Sequence, residues 1–298
     1  MPAMPAPDEF ALDPKLIRRR CEASAATARG VDFLGQELAQ RMAERLEAIR
    51  LSPNRILDLG CGLGADLPLL AERYPEAERI GLDFALPRLR LAAPQTSGLS
   101  RLIARKAAPH WICAEADALP LASASVQLIW SNLLLPSLSD PLPALRECHR
   151  VLESEGLFIF ASLGPDSLKE LRAALPDRFG TRVHRFADMH DLGDALLEAG
   201  FSAPVLDRET LTLSYAKPED LFRDLRAGGV TNASRNRPRG LSGKQAWREA
   251  CDRLLETDDN GRFPVTLELV FGHAWKPATC VREDGRSVVR LLPRARGA

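Results

Sequence analysis

Forty basic side chains balance forty acidic ones over 298 residues, so no net field draws the chain to nucleic acid or to an anionic membrane surface. At 45% hydrophobic residues it can bury the core of one large domain, or of one domain with a cap. Cys21, Cys61, Cys113, Cys148, Cys251 and Cys280 follow no regular spacing, which argues against a metal site or a disulfide frame and points to a reducing cytoplasm.

Residues 1–12 are proline-rich and lack a charged start followed by an apolar core; they read as a disordered tail, not a secretory signal. No apolar run approaches the length of a membrane span. Over residues 13–50, Phe33, Leu34, Leu38, Met42, Leu46 and Ile49 recur at threes and fours, which predicts a helical cap entered through Asp13 and Pro14. Arg18, Arg19 and Arg20 lie in it, as a solvated face or as a contact to an acidic partner.

The next stretch organises the chain. Ile56, Leu57 and Leu59 form a short buried strand, Gly60, Gly62 and Gly64 follow at every second position, and a helix starts near Asp66. Strand, glycine turn and helix hold nucleotide-like ligands at the edge of an open α/β sheet. The G-x-G-x-G spacing differs from the dinucleotide pattern, and Asp58 stands two residues before the first glycine. A carboxylate there repels a phosphate and attracts a zwitterion with an amino group and a sulfonium. Asp83 ends the next apolar run, where a carboxylate takes ribose hydroxyls. The pair fits S-adenosylmethionine better than NAD; the plainer alternative is a glycine turn kept for backbone geometry. Cys61 reads as packing within the loop.

A helix near Leu86–Ala92, an interruption at Pro94–Ser100 and a basic helical piece from Arg101 to Lys106 lead to a third strand, Trp111–Ala114. Glu115, with Ala116 beside it, is the preferred acceptor for an adenine amino group; Asp117 reads as a solvated turn. The fourth strand, Val126–Ser131, ends at Asn132, beside the expected methyl-donor pocket. A helix from Asp140 to Leu152, a fifth strand from Leu157 to Ser162 and a helix from Met189 to Gly200 continue an alternation that predicts a parallel sheet covered on both faces. Residues 51–217 form this core. Pro204–Tyr215 and Pro264–Trp275 alternate as an antiparallel pair, the second opening the terminal segment 258–298. Between them, 218–257 reads as a helical lid with Gly228-Gly229 and a basic loop at 234–240.

Several stretches resemble one family, the malonyl-carrier-protein O-methyltransferases of biotin synthesis. They are Ser131-Asn132-Leu133, the run from Leu163 to Arg172, Ala187-Asp188-Met189-His190-Asp191, Gly229-Val230-Thr231-Asn232-Ala233 and Gly272-His273-Ala274-Trp275. The resemblance implies a Rossmann-like class I methyltransferase with a mostly parallel seven-stranded sheet and a C-terminal antiparallel hairpin. It implies S-adenosyl-L-methionine as cofactor, held by Asp58, Gly60, Cys61, Gly62, Gly64, Asp83, Phe84, Glu115, Ala116, Ser131 and Asn132, and a malonyl-bearing acyl carrier protein as partner. The family's aromatic-acid pair falls here on Ala28-Arg29, and its Gln-Trp pair on Pro136-Ser137.

A malonyl carboxylate is ionised near pH 7, so its methylation needs no general base. His190 and His273 therefore read as structural, and an arginine suits the substrate carboxylate. The lid arginines Arg223, Arg226, Arg235, Arg237 and Arg239 are also candidates for an acidic carrier surface. Two other readings remain: a methyltransferase on another small acceptor, which needs a base for a hydroxyl or carbon, and a non-catalytic cofactor-binding assembly protein.

Overall fold

The computed structural model describes residues 10–93, 108–175, 180–240, 243–256, 261–278, 280–281 and 287–288. At its centre β1 (Arg55–Leu59) buries four of its five residues. A strand with no wet face needs neighbours on both edges and layers on both sides. β2 (Glu78–Asp83) and β4 (Val126–Asn132) pair with it in parallel, with β3 (His110–Cys113) beyond β2 and β5 (Leu152–Leu163) beyond β4. The sheet is completed by β6 (Ser202–Tyr215) and β7 (Phe263–Trp275) in the order β3-β2-β1-β4-β5-β7-β6. β7 is antiparallel to both its neighbours. The mostly parallel sheet with a closing antiparallel pair is the one the alternation predicts.

Three helices, α1 (Pro14–Ala23), α2 (Ala25–Ala28) and α3 (Phe33–Glu47), precede β1. The helical pattern over 13–50 is interrupted by a 3-10 turn at Arg29–Val31, where Gly30 weakens helix continuation. Asp13 caps α1 as its position suggests, its side chain accepting from the Leu16 N–H at 3.1 Å. Leu12, assigned to the tail, is instead buried: it bridges to Ser234, and its N–H donates to Ser139 Oγ at 2.9 Å. The basic piece from Arg101 to Lys106 lies outside the described residues.

One face of the sheet is covered by α3 and α4 (Leu67–Arg73), whose Leu38, Met42, Leu46, Leu67 and Leu70 pack around Ile56 and Trp130. The other is covered by α6 (Leu142–Val151) and α8 (Met189–Glu198), which bring Leu145, Cys148, Leu192 and Leu196 onto Phe158 and Phe160. Phe158→Ala costs about 3–5 kcal/mol at such a site. The helix α5 (Leu86–Ala92) follows β2, and α7 (Lys169–Ala174) follows β5. The block between β6 and β7 folds as α9 (Pro218–Gly228) and α10 (Lys244–Leu255), with its own small core of Leu171, Leu221, Leu254, Phe263 and Val265.

The chain builds β1, β2 and β3 outward, then returns to place β4 on the other side of β1. Helices leaving β1 and β4 diverge there, and a crevice opens at the strands' C-terminal ends.

Candidate active site

The glycine loop occupies that crevice. Gly60, Gly62 and Gly64 have φ of +80°, +54° and +70°, a region that other residues enter at a cost. The N–H groups of Gly60 and Cys61 donate to the Leu82 carbonyl at 2.8 and 3.0 Å, fixing the loop to β2. A methyl group on Gly60 would press on Leu134, and one on Gly64 would strike the Trp111 ring. At Gly62 a methyl group would meet nothing nearer than Arg88 Nη1, 3.9 Å away. Packing therefore explains two of the glycines and leaves the outer side of Gly62 open to a ligand.

Asp83 closes the loop from β2. Its Oδ2 accepts from the Gly62 N–H at 3.0 Å and its Oδ1 from the Ala85 N–H at 2.7 Å. Burial raises the pKa of this carboxyl, against the opposing pull of the two amides, Arg88 and Arg18. Each oxygen keeps a lone pair for a further donor.

Asp58 is 2% exposed, and its Oδ2 has no hydrogen-bond partner. Burial pushes its pKa well up, and Asp66 and Asp83 push it further. Asp66 precedes α4 but does not cap it. Its Oδ2 turns inward to accept from Trp130 Nε1 at 2.7 Å and Asn132 Nδ2 at 2.9 Å. Burial raises this carboxyl as well. Asn132 also donates to the Gly35 carbonyl at 2.9 Å, while its Oδ1 is buried without a partner. Asp32 joins the group from the start of α3: burial, then the charge of Asp66, pushes its pKa up to about 6. Four carboxyls held against their preferred ionisation, and two orphaned acceptors, form a site suited to a cationic amine or sulfonium. The residues fit S-adenosylmethionine.

On the β2–β3 side, Phe84 is half-buried and Glu115 exposed. Arg18 of α1 bridges them: Nη1 donates to the Phe84 carbonyl at 3.0 Å, Nη2 pairs with Glu115, and the guanidinium lies 5.2 Å from the Phe84 ring centroid. Ala116 packs against the core beside this pair. Ser131 is fully buried, its hydroxyl donating to the Leu59 carbonyl at 3.2 Å, so its side chain ties β4 to β1. Cys61 is buried and its thiol pKa is raised far above the ordinary value by desolvation, which fits packing rather than nucleophilic use. His190 is exposed in the first turn of α8, and His273 lies on β7, opposite Ile159 of β5 and Val205 of β6.

Asp66, Asp32 and Arg88 are not among the sequence candidates, and Arg18 stands there only as part of a basic run. Arg88 reaches from α5 to the Cys21 carbonyl (3.1 Å), Ser24 Oγ (3.0 Å) and the Gly228 carbonyl (2.8 Å), joining core, α1 and α9. Of the lid arginines, Arg235 is exposed and donates to the Leu12 carbonyl at 3.0 Å, and Arg237 pairs with Asp13 at 3.3 Å. Arg223 pairs with Asp220 at 2.8 Å. Arg226 and Arg239 are exposed. Ala28-Arg29 ends α2, where Thr27 Oγ1 donates to the Ala227 carbonyl at 3.0 Å, and Pro136-Ser137 lies in a 3-10 turn after β4.

Sheet, switch-point crevice, glycine loop and acid cluster define a class I S-adenosylmethionine-dependent methyltransferase. The sequence profile of the "Methyltransferase domain" family matches residues 57–160. Solved structures agree on the fold: the YcgJ protein of Bacillus subtilis superposes with a TM-score of 0.55 at 16% identity over 79% of this chain and 97% of that one. A putative methyltransferase from Bacillus halodurans C-125 gives 0.55 at 15% identity over 80% and 99%. The finer placement comes from full-length relatives. The malonyl-[acyl-carrier protein] O-methyltransferase of Laribacter hongkongensis is 45% identical over 97% of this chain and 99% of its own length. That of Gallionella capsiferriformans is 42% identical over 95% and 98%. The chain belongs to the malonyl-[acyl-carrier protein] O-methyltransferase family.

Proposed function

We propose that this enzyme methylates the free carboxylate of a malonyl group carried as a thioester on an acyl carrier protein. The full-length malonyl-[acyl-carrier protein] O-methyltransferase relatives support the acceptor, and Asp58 supports the donor: a buried carboxyl with an unpartnered oxygen, flanked by Asp66 and Asp83, beneath a glycine loop whose Gly62 faces open space. S-adenosylmethionine, when bound, supplies a methyl carbon activated by a positively charged sulfur.

The chain's own residues position that donor and its acceptor. Asp58 and Asn132 Oδ1 offer acceptors to the ammonium end. Asp83, oriented by the Gly62 and Ala85 amides, receives the ribose hydroxyls through its remaining lone pairs. Glu115, steadied by Arg18, would accept from the adenine amino group, with Phe84 held beside it by the same arginine. The acceptor carboxylate is already ionised at neutral pH, so no side chain has to remove a proton, and the site needs none of the histidines. The work left to the protein is alignment and exclusion of water. Residues 13–50 and 218–257 serve as the substrate cover, supported by Arg88, which ties both to the glycine loop's side of the core.

Calorimetric titration with S-adenosylhomocysteine tests the site. Binding lost in Asp58→Asn and kept in His190→Ala is expected. Equal binding by Asp58→Asn and the parent would contradict the assignment.

A further inference from the structure

A cavity of about 400 Å³ lies between α7, α10 and the 231–240 loop, and none of the acid-cluster residues lines it. Its lining includes Arg20, Arg182, Arg237 and Arg253, with Trp247 and a single acid, Glu249. Glu249 sits one helical turn from Arg253, 4.0 Å from its guanidinium. Three of the arginines are oriented by carbonyls, and with Asp13 beside Arg237 and Glu249 beside Arg253 the four cations still face only two acids there. Arg20 Nη1 donates to the Thr231 carbonyl at 2.8 Å and also to that of Asn232, Arg237 Nη1 to Ser234 O at 2.9 Å, and Arg253 Nη1 to Ala174 O at 3.3 Å.

Positive charge consequently accumulates at this place. Burial and then the neighbouring charges of Arg237 and Arg19 lower the pKa of Arg20, with only Asp13 opposing them. The half-buried imidazole of His184, which accepts from the Ala233 N–H, is held neutral, its pKa pushed down to about 4 by desolvation and by Arg20. Guanidinium forks that cannot avoid one another are stabilised by an anion with several acceptor oxygens, and a tetrahedral phosphate offers more of them than a carboxylate. Trp247, packed on Phe222 with ring centroids 4.5 Å apart, gives the cavity a rigid apolar side suited to the organic part of such a ligand. The cavity also neighbours the reaction centre: Arg20 reaches into it from α1, and Ser24, one helical turn on, receives Arg88 from the glycine-loop side.

We propose that this cavity binds the phosphate of an organic phosphate ester. Resting on the function proposed above, the ester is the phosphodiester of the carrier protein's prosthetic arm, held while the arm carries its thioester toward the methyl donor.

The test titrates the full chain, saturated with S-adenosylhomocysteine, with 4′-phosphopantetheine and in parallel with pantetheine. The phosphorylated compound should bind at least about tenfold tighter. The double variant Arg182→Gln/Arg253→Gln should erase that preference while keeping its affinity for S-adenosylhomocysteine. Equal binding of the two compounds by the parent protein overturns the proposal, as does an undiminished preference in a folded double variant. Should the variant not fold, phenylglyoxal modification of the parent decides: phosphopantetheine should protect these arginines from reaction, and unprotected arginines overturn the proposal. The source of the phosphate is read from kinetics. A KM for malonyl carrier protein raised about tenfold in the variant, with kcat within about twofold, assigns the phosphate to the carrier arm. An unchanged KM beside lost phosphopantetheine binding overturns that assignment in favour of a free phosphate ester. A parent protein that binds phosphopantetheine and methylates no carrier keeps the cavity and refutes the function.

Discussion

Asp83 Oδ2 accepts a hydrogen bond from the backbone N–H of Gly62 at 3.0 Å, so the carboxylate at the end of β2 holds the tip of the loop that leaves β1. One residue thereby shapes the loop and presents acceptors to whatever lies in it. Asp83→Ala removes both functions, and loss of a charge-assisted acceptor is worth roughly 1.5–3 kcal/mol. S-adenosylhomocysteine affinity should fall by about tenfold or more. Parent-like affinity in calorimetry would remove Asp83 from the ribose site.

The glycines separate into two kinds. Gly64→Ala sets a methyl group against the Trp111 ring and should lower the melting temperature by several degrees, since overpacking costs about 1–3 kcal/mol. Gly62→Val meets open space, so it pays mainly backbone strain at positive φ, about 1–3 kcal/mol. It should remain folded by circular dichroism yet fail to bind cofactor. A Gly62→Val protein that binds normally would assign the open side of Gly62 to solvent.

The acid cluster gives a pH signature. Asp32 and Asp58 have folded-state pKa values raised above their unfolded values, to about 6 for Asp32. Such groups cost nothing at acid pH, where both states are protonated, and destabilise the fold increasingly as pH rises through the unfolded and then the folded pKa. Asp32→Asn and Asp58→Asn should therefore stabilise the cofactor-free protein more at pH 8 than at pH 5, about one unit below the Asp32 value. The same Asp58 variant should lose cofactor affinity. Melting curves with and without S-adenosylmethionine show whether stability and affinity move in opposite directions. A loss of cofactor-free stability at pH 8 would mean that these acids hold the fold together.

Much of this arrangement was readable in the sequence. The period-2 and apolar runs placed the sheet, and Asp58, Gly62 and Asp83 stood out because their spacing alone fixes them at strand ends. Asp66 did not, since its burial depends on Trp130 and Asn132, more than sixty residues away. Arg18 reads as one of three consecutive arginines until Glu115, 97 positions on, comes beside it. In the basic loop, Arg235 and Arg237 likewise have partners, Leu12 and Asp13, at the other end of the chain, which no local pattern reveals. Local periodicity reports which elements form, whereas ion pairs between distant segments emerge only once those elements pack.

The charge of the acceptor makes a separate prediction. With malonyl carrier protein at saturation, the rate should be nearly flat from about pH 6 to 8.5, because the nucleophilic carboxylate is ionised well below that range. A rise of about tenfold per pH unit, with the protein stable throughout, would indicate deprotonation of a hydroxyl or carbon acceptor and bring His190 back as a base.

The central claim is tested most directly by following methyl transfer from S-adenosylmethionine labelled in its methyl group to malonyl carrier protein, beside the same carrier already capped as its methyl ester. The expected result is label on the malonyl carrier alone, released as methanol by mild base as a carboxyl ester is. Label on the capped carrier as well, label resistant to base, or none on either by a protein that binds S-adenosylmethionine would contradict carboxyl methylation.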